Sequence, residues 1–289
     1  MIKNRRKSMS HQSRREFFRN AGLGVAAGAL VHTASSCASK VKEEGGVDTL
    51  KLGIASYTFR KFDLDQTLAM TNRLNVKNIA FKSFHLPLDA SPELIRETVE
   101  KTKAAGLNLY ACGVIYMNSK EEADQAFDYA KAAGVGTIVG VPAFNLLDYV
   151  EQKIKEYDIK VAIHNHGPGD QLFPAPGDVY DKIKDRDQRF GLCLDIGHTQ
   201  RIGLNPAEEA KKYFDRLYDV HIKDVSSSTA EGTTVEVGRG VIDIPGFLKA
   251  LEDLGYPYVV SLEYEKDEND PLPGSAESIG YIRGVMAVI

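Results

Sequence analysis

Cysteine is scarce in this sequence, which gives no indication of a disulfide framework. Only three of the 289 residues are cysteines. Cys37 belongs to the N-terminal region, whereas Cys112 and Cys193 lie in apolar stretches with the composition of buried strands. We therefore expect Cys112 and Cys193 to be buried thiols rather than members of a cross-linked scaffold.

The N-terminal region has no apolar run long enough for a permanent membrane anchor. Residues 21–31 are mildly apolar, but they fall well short of the roughly 20 residues that a membrane-spanning helix needs. The region is also basic, since residues 1–36 carry seven lysines and arginines against one glutamate. A positive segment followed by a short apolar one is typical of an export signal, and residues 13–19 resemble the twin-arginine motif.

A small-residue sequence ends this signal segment. Residues 34–37 resemble a bacterial lipobox, which predicts a mature chain that begins with a lipidated Cys37 and a polar tether over residues 37–48. We expect the protein to be periplasmic or a membrane-anchored lipoprotein, with membrane contact only through that lipid. The folded domain is predicted over residues 49–289.

Positive charge is also lacking in the body of the chain. The net charge is -4 overall, and removing the +6 of residues 1–36 leaves -10 for the remainder. An acidic body argues against a nucleic-acid partner. No composition break or low-complexity linker divides these roughly 250 residues, which suits one domain with one core.

Apolar strand-like runs alternate with amphipathic helix-like runs along the domain. Strands are predicted at residues 50–57, 77–81, 107–115, 136–141, 159–164, 190–195, 217–223 and 258–264. Helices are predicted at residues 63–74, 91–105, 119–133, 145–157, 176–184, 206–214, 245–254 and from 275 onward. Eight such repeats favour an α/β fold of the (β/α)8 TIM-barrel type, with the ligand site at the C-terminal ends of the strands. A doubly wound sheet is the alternative, but no glycine-rich phosphate-binding turn follows the first strand.

Ionisable side chains occur at the ends of the last four predicted strands. Because side chains alternate between the two faces of a strand, the polar ones fall together on one face of each. The pairs are His164 with His166, Cys193 with Asp195, His221 with Lys223, and Ser261 with Glu263.

Any one of these residues could be a hydrogen-bonded buried polar group. Four strand ends with the same pattern instead favour a shared divalent cation, because burying several acids and histidines together is costly without one. Mixed nitrogen and oxygen donors suit Mn²⁺, Zn²⁺, Fe²⁺ or Co²⁺ better than Ca²⁺ or Mg²⁺.

Four motifs in the chain carry a family resemblance. Residues 191–198, 219–224, 238–245 and 261–264 resemble the sugar phosphate isomerase/epimerase group of xylose-isomerase-like TIM barrels, over roughly residues 50–287. The resemblance implies a metal held by Asp195, His221 and Glu263 and a substrate hydroxyl contacted by His198. Its first ligand is usually a glutamate, but this chain has His164 at that place.

That departure affects the expected chemistry. The resemblance implies an isomerase or epimerase, and members that epimerise ketoses use two opposed glutamates, of which only Glu263 remains here. Glu263 could act as a single base beside a metal-polarised oxygen. We expect a metal-dependent isomerase or epimerase acting on a small, non-phosphorylated carbohydrate.

Three other functions stay open. The first is a lyase or hydrolase of 3-keto-glycosides that uses the same metal and base. The second is a non-catalytic carbohydrate-binding lipoprotein. The third, an endonuclease-like barrel, is disfavoured by the acidic charge.

Further residues are candidates for the site. We predict catalytic roles for His198 and Lys223 beside Glu263, although Lys223 could instead pair with a carboxylate. Substrate contacts are predicted for His85, His166, Arg239 and Tyr116. For His85 the alternative is an exposed loop residue, and for Arg239 it is a role in ordering its loop.

Overall fold

A computed structural model describes residues 50–289, which form a closed barrel of eight parallel strands surrounded by helices. The eight-repeat (β/α)8 prediction is therefore confirmed, and the predicted signal, the tether and Cys37 lie outside the described residues. Each predicted strand agrees with the structure to within two residues at either end. The barrel strands are β1 Lys51–Ala55, β2 Asn78–Phe81, β3 Asn108–Met117, β4 Thr137–Pro142, β5 Lys160–His164, β6 Phe190–Asp195, β7 Leu217–Ile222 and β10 Val259–Leu262.

The helices pack outside the strands and begin where cap chemistry is present in the sequence. Ser91 accepts a hydrogen bond from the Leu94 N–H at 3.3 Å, and Asp63 and Gln66 form a reciprocal capping box. Gly134 closes one helix in the left-handed conformation that glycine favours. The helices are α1 Leu64–Arg73, α2 Pro92–Ala104, α3 Lys120–Ala133, α4 Leu147–Tyr157, α5 Pro176–Ile183, α6 Ile196–Arg201, α7 Pro206–Lys212, α8 Ile244–Asp253 and α9 Pro271–Met286.

Two small elements at the C-terminal end of the barrel are not among the predicted ones. One is helix α6, which is capped by Asp195. The other is an antiparallel ribbon formed by β8 Asp224–Val225 and β9 Thr234–Val235. Both are too short to show a period in the sequence, and both depend on single carboxylates that bind backbone N–H groups.

The strands follow one another around the barrel in the same order as in the chain, and β10 closes the cylinder between β7 and β1. The carboxyl ends of all eight strands therefore open on one face, which we call the mouth. Within the described residues, no helix is long and apolar enough to cross a membrane.

Candidate metal centre

Four side chains from four neighbouring strands meet at the mouth. One potential ligand atom from each of His164, Asp195, His221 and Glu263 lies within 4.8 Å of the others. His164 Nε2 is 3.1 Å from His221 Nδ1 and 3.4 Å from Asp195 Oδ2, and His221 Nδ1 is 3.3 Å from Glu263 Oε2. All four residues are buried. The sequence prediction that these four residues come together is thus matched by the geometry.

Strand register explains why they meet. Asp195 pairs with His221 across β6 and β7, and His221 pairs with Ser261 across β7 and β10. Glu263 follows directly after β10, and His164 is the last residue of β5. His164 pairs with Cys193, two residues before Asp195, and Glu263 follows Ser261 by two. These even offsets keep all four side chains on the inner face, and the tilt of barrel strands accommodates the stagger.

Asp195 is held so that one of its oxygens faces the cluster. Its backbone N–H donates to Asn165 Oδ1 at 3.0 Å, and its Oδ1 accepts the His198 N–H at 2.8 Å as the cap of α6. Its other oxygen, Oδ2, is buried and has no hydrogen-bond partner. Lys223 Nζ lies 2.9 Å from Oδ2, so the two form an ion pair without an aligned hydrogen bond.

The electrostatics place most of the cluster in the protonation state that a metal requires. Burial holds the pKa of His164 well below its usual value, so its imidazole is neutral. Burial alone would raise the pKa of Asp195 and of Glu263, but Lys223 and nearby histidines outweigh it and lower both. Neutral imidazoles and ionised carboxylates are the ligand forms of divalent cations.

His221 is the exception among the four. Burial would lower its pKa, but the charges of Glu263 and Asp219 raise it. Asp219 lies below His221, with Oδ2 3.8 Å from Nε2, and it accepts hydrogen bonds from Tyr110 Oη at 3.2 Å and Cys193 Sγ at 3.8 Å. Burial raises the pKa of Asp219 to about 6. At 3.8 Å the Asp219 carboxylate is too far from Nε2 for a hydrogen bond, so it acts on the His221 ring through its charge.

Lys223 is a buried cation that contacts the same oxygens. Its Nζ lies 2.7 Å from Glu263 Oε2 and 2.9 Å from Asp195 Oδ2, and it also contacts Glu265. Its aliphatic chain passes Gly197, where an added Cβ would come within 2.5 Å of Lys223 Cγ. The pairing role foreseen for this lysine is therefore present, and it involves three carboxylates.

These residues fit a divalent cation. The potential donors are two imidazole nitrogens and two carboxylate oxygens that lie within 4.8 Å of one another. One of them, Asp195 Oδ2, is a buried anionic oxygen without a hydrogen bond. Such an oxygen is costly to bury without a cation. The single charge of Lys223 is shared among Asp195, Glu263 and Glu265, so a divalent cation would offset the remaining negative charge. The donor set matches Zn²⁺, Mn²⁺, Fe²⁺ or Co²⁺.

His198, His166 and Tyr116 border the cluster. The His166 ring centroid is 4.4 Å from that of His164, and those of His198 and His164 are 5.9 Å apart. Tyr116 Oη and His166 Nε2 are 3.2 Å apart, and Tyr116 is exposed at the mouth. Burial lowers the pKa of both His166 and His198, which leaves neutral rings beside the site.

His85 and Arg239 are not brought to the cluster. His85 is buried rather than exposed on a loop: Nδ1 lies 2.9 Å from Ser56 Oγ, and Nε2 lies 2.9 Å from Thr67 Oγ. Arg239 is exposed and forms an ion pair with Glu277. Its loop is ordered instead by the Asp224 carboxylate, which accepts the N–H groups of residues 238, 240 and 242. Substrate contact by either residue remains a prediction.

Sequence reasoning missed several residues that surround the cluster. Asp219 shares the inner face of β7 with His221, and Glu265 follows Glu263 with the same alternation, so the two-residue period could have found both. Asn165 and Lys82 carry no such pattern. They become visible only through the hydrogen bonds of Asn165 to Asp195 and through the position of Lys82 beside the mouth.

The chain belongs to the xylose isomerase-like TIM barrel family, whose model matches residues 72–285. Among curated relatives, the inosose dehydratase of Lacticaseibacillus casei is 26% identical over 137 residues, which are 42% of this chain and 45% of that protein. The chain spans about half the length of the curated relatives it matches.

Solved structures match over most of the chain. A protein of Parabacteroides distasonis ATCC 8503 is 27% identical and aligns with a TM-score of 0.65 over 82% of this chain and 99% of that one. The IolI protein, crystallised with a bound zinc atom, is 20% identical and aligns with a TM-score of 0.68 over 82% and 97%. At that identity the second likeness is evidence for the fold alone.

Proposed function

We propose that this protein is a divalent-metal-dependent enzyme that removes a proton beside the carbonyl of a non-phosphorylated sugar or related polyhydroxy ketone. The observation that carries the proposal is the cluster of His164, Asp195, His221 and Glu263, in which one ionised glutamate stands among metal-type donors at the barrel mouth. A divalent cation held by these residues would polarise the carbonyl oxygen and acidify the neighbouring C–H bond.

Glu263 is the proposed base. Its Oε2 faces His221 and Lys223, whereas Oε1 makes no hydrogen bond within residues 50–289. Lys223 keeps the carboxylate ionised at neutral pH, since it contacts Glu263 at 2.7 Å. A neutral His198, with its ring beside Asp195, is placed to contact a substrate hydroxyl.

Elimination is the outcome that this site favours. Epimerisation by two bases needs a second carboxylate, but His164 occupies that place and its Nε2 is turned toward His221 and Asp195. With one base, removal of the proton and expulsion of a β-oxygen gives an enone. The related inosose dehydratase bears the name of such a reaction, and 3-keto-glycosides offer the same arrangement of carbonyl, proton and leaving oxygen.

Isomerisation or epimerisation is the second candidate. It is favoured by the xylose isomerase-like family match and by the neutral rings of His166 and His198 beside the cluster, either of which could take part in returning a proton. An epimer or isomer keeps every atom of the substrate, whereas a lyase releases water or an alcohol.

Product analysis in deuterated water tests the proposal. The Zn²⁺- or Mn²⁺-loaded protein is incubated with methyl 3-keto-β-D-glucoside, an inosose and free ketoses, and the products are identified by mass spectrometry and NMR. We expect metal-dependent loss of methanol or water, and Glu263→Gln should abolish it. Deuterium gain without release of a group would assign isomerase or epimerase activity. Binding without either change would assign a carbohydrate-binding protein.

Export remains part of the proposal. We propose that the protein leaves the cytoplasm folded through the twin-arginine route and is lipidated at Cys37. The intact mass of protein from membranes tests this, because an unmodified chain that begins elsewhere would contradict it.

A further inference from the structure

Lys82 lies at the mouth, directly after the last residue of β2. The same short segment contains His85, but the two side chains take opposite directions. His85 turns into the core to bind Ser56 and Thr67, whereas Lys82 is only partly buried, and its Nζ lies 5.9 Å from the centre of the Tyr57 ring above β1. Lys82 is therefore better placed than His85 to meet a ligand at the mouth.

A bulge in β3 provides the acceptor that holds Lys82. Gly113 pairs with Val139 and Ile115 pairs with Gly140, so Val114 has no partner in β4. The free Val114 carbonyl accepts a hydrogen bond from Lys82 Nζ at 2.9 Å. Bulges next to active sites commonly redirect a group in this way. Gly113 is required here, because an added Cβ would lie 2.1 Å from the Val139 carbonyl oxygen.

The two lysines at the mouth have opposite surroundings. The Lys223 ammonium donates hydrogen bonds to Glu263 and Glu265 and forms a third ion pair with Asp195. Lys82 has one carbonyl partner and forms no ion pair within 4.0 Å among the described residues. Two N–H bonds of Lys82 are thus available for a ligand.

The protonation of Lys82 is set by few groups. Burial lowers the pKa of its ammonium, and the negative charge of Glu263 opposes that change only in part. The other groups near it are the Tyr57 ring and His85, the latter through Ser56, whose Oγ accepts the Lys82 backbone N–H at 2.8 Å. An ammonium with a lowered pKa gives up its proton more readily than an ordinary lysine.

We propose that Lys82 is a second catalytic residue, an acid that protonates the oxygen leaving the substrate. The inference rests on the proposed function and deepens it. Only β1 separates β2 from β10, so Lys82 and Glu263 stand about two strand spacings, roughly 10 Å, apart at their Cα positions. A substrate bound at the mouth between β2 and β10 could therefore contact both side chains.

Glu263 and Lys82 act on the two ends of the bond system that the elimination changes. Glu263 takes the proton from the carbon beside the ketone, and the C–H electron pair forms the new C=C bond. The C–O bond on the next carbon breaks and its electron pair stays on oxygen, which receives the Lys82 proton. The products are an enone and an alcohol or water. Solvent then returns a proton from the Glu263 carboxyl group to the Lys82 amine.

The test compares two leaving groups in the metal-loaded, full-length protein. Methyl 3-keto-β-D-glucoside releases methanol, whose oxygen must be protonated, whereas the p-nitrophenyl analogue releases a stable phenolate. We expect Lys82→Met to lower kcat with the methyl substrate by about 10²- to 10⁴-fold and to change kcat with the nitrophenyl substrate less than about threefold. Glu263→Gln should disable both.

Two controls separate catalysis from folding. Lys61→Met removes an exposed lysine that pairs with Glu268 at 3.5 Å, and it should change neither rate. Zn²⁺ titration of Lys82→Met should give wild-type affinity, because the four proposed ligands are intact. The wild-type kcat/KM with the methyl substrate should fall at high pH as Lys82 loses its proton, and Lys82→Arg should move that fall to higher pH.

The outcomes distinguish the two proposals. Equal losses on both substrates, or no loss on either, overturn the role of Lys82 while leaving the proposed function in place. If the wild-type protein turns over neither substrate, the proposed elimination is wrong, and the role of Lys82 falls with it.

Discussion

Strand β7 carries a buried cation at each end, and the two are held in contrasting ways. Before the strand, the Arg216 guanidinium is buried and donates to four backbone carbonyls at 2.8–3.2 Å. After it, Lys223 contacts Asp195, Glu263 and Glu265, two of which are also candidate metal ligands. The two terminal nitrogens of Arg216 donate to neutral carbonyls, and its Nε lies 3.7 Å from the Asp215 carboxylate. Lys223 instead depends on three close carboxylates whose charges a ligand can rearrange.

The end of the barrel that contains Arg216 thus has a structural role, whereas the mouth, which contains Lys223, holds the candidate site. Arg216 fixes the backbone at residues 184, 186, 187 and 190, so it secures the turn that leads into β6. One atom of Arg216, Nε, lacks a hydrogen-bond partner, whereas four buried atoms at the mouth lack one: His164 Nδ1, His166 Nδ1, Asp195 Oδ2 and His198 Nδ1. Buried polar atoms without a hydrogen-bond partner destabilise the free protein. A bound cation or substrate would supply the missing partners.

Removing the base at the mouth should have the largest effect. Glu263→Gln keeps the size of the side chain but removes the proton acceptor, so we expect kcat to fall by about 10²- to 10⁴-fold. The unfolding midpoint should also fall, because the buried Lys223 loses one of its charged partners. Steady-state kinetics and urea unfolding measure the two effects. Glu268→Gln is the matched control, since Glu268 is exposed and pairs with Arg60 and Lys61. Full activity in Glu263→Gln would assign the base elsewhere.

Removing the cation at the structural end should mainly affect stability. Arg216→Met removes the donor to four backbone carbonyls and empties the space of a buried side chain, and we expect a loss of roughly 3–5 kcal/mol in the free energy of unfolding. Turnover per folded molecule should stay near wild type. Arg239→Met, which breaks an exposed pair with Glu277, should cost under about 1 kcal/mol. Similar losses in the two variants would contradict the structural role of Arg216.

Metal binding should stabilise the mouth and not the opposite end. Zn²⁺ at about 100 times its Kd should raise the free energy of unfolding by about 2.7 kcal/mol, as measured by urea unfolding with and without chelator. Asp195→Asn removes an anionic ligand and should lose most of that gain, whereas Arg216→Met should keep it. Equal stabilisation of the wild type and Asp195→Asn would place the ion at another site.

The smallest effect concerns pH and the packing of His85. Burial lowers the pKa of His85 below the 6.5 of an unfolded chain, although the carbonyls of Phe59 and Phe62 oppose this. The folded chain therefore binds fewer protons here than the unfolded chain, and stability decreases as pH falls from 6.5 through the folded pKa. Urea unfolding between pH 7.5 and 5 should show a shallower decrease for His85→Gln than for the wild type. Parallel curves would show that His85 does not contribute.

Much of the site could be predicted because it lies within strands. For Asp195 and His221 the two-residue alternation fixes the face, and the closed parallel barrel brings the strand ends to one level. The prediction was less complete beyond the strands. His85 is a predicted site residue because it follows the second strand and could face the pocket, but its direction depends on Ser56 and Thr67, which are distant in the chain.

The sequence by itself determined the eight-strand barrel, its acidic surface charge and the four donors at the mouth, because apolar periodicity and strand alternation are local properties. Only the tertiary structure decided that Lys223 shares its carboxylates with the candidate metal site and that Lys82 faces the mouth while His85 is buried. Those outcomes depend on a β3 bulge, a glycine beside Lys223 and burial of charge. Such features arise from contacts between distant segments, which no local pattern encodes.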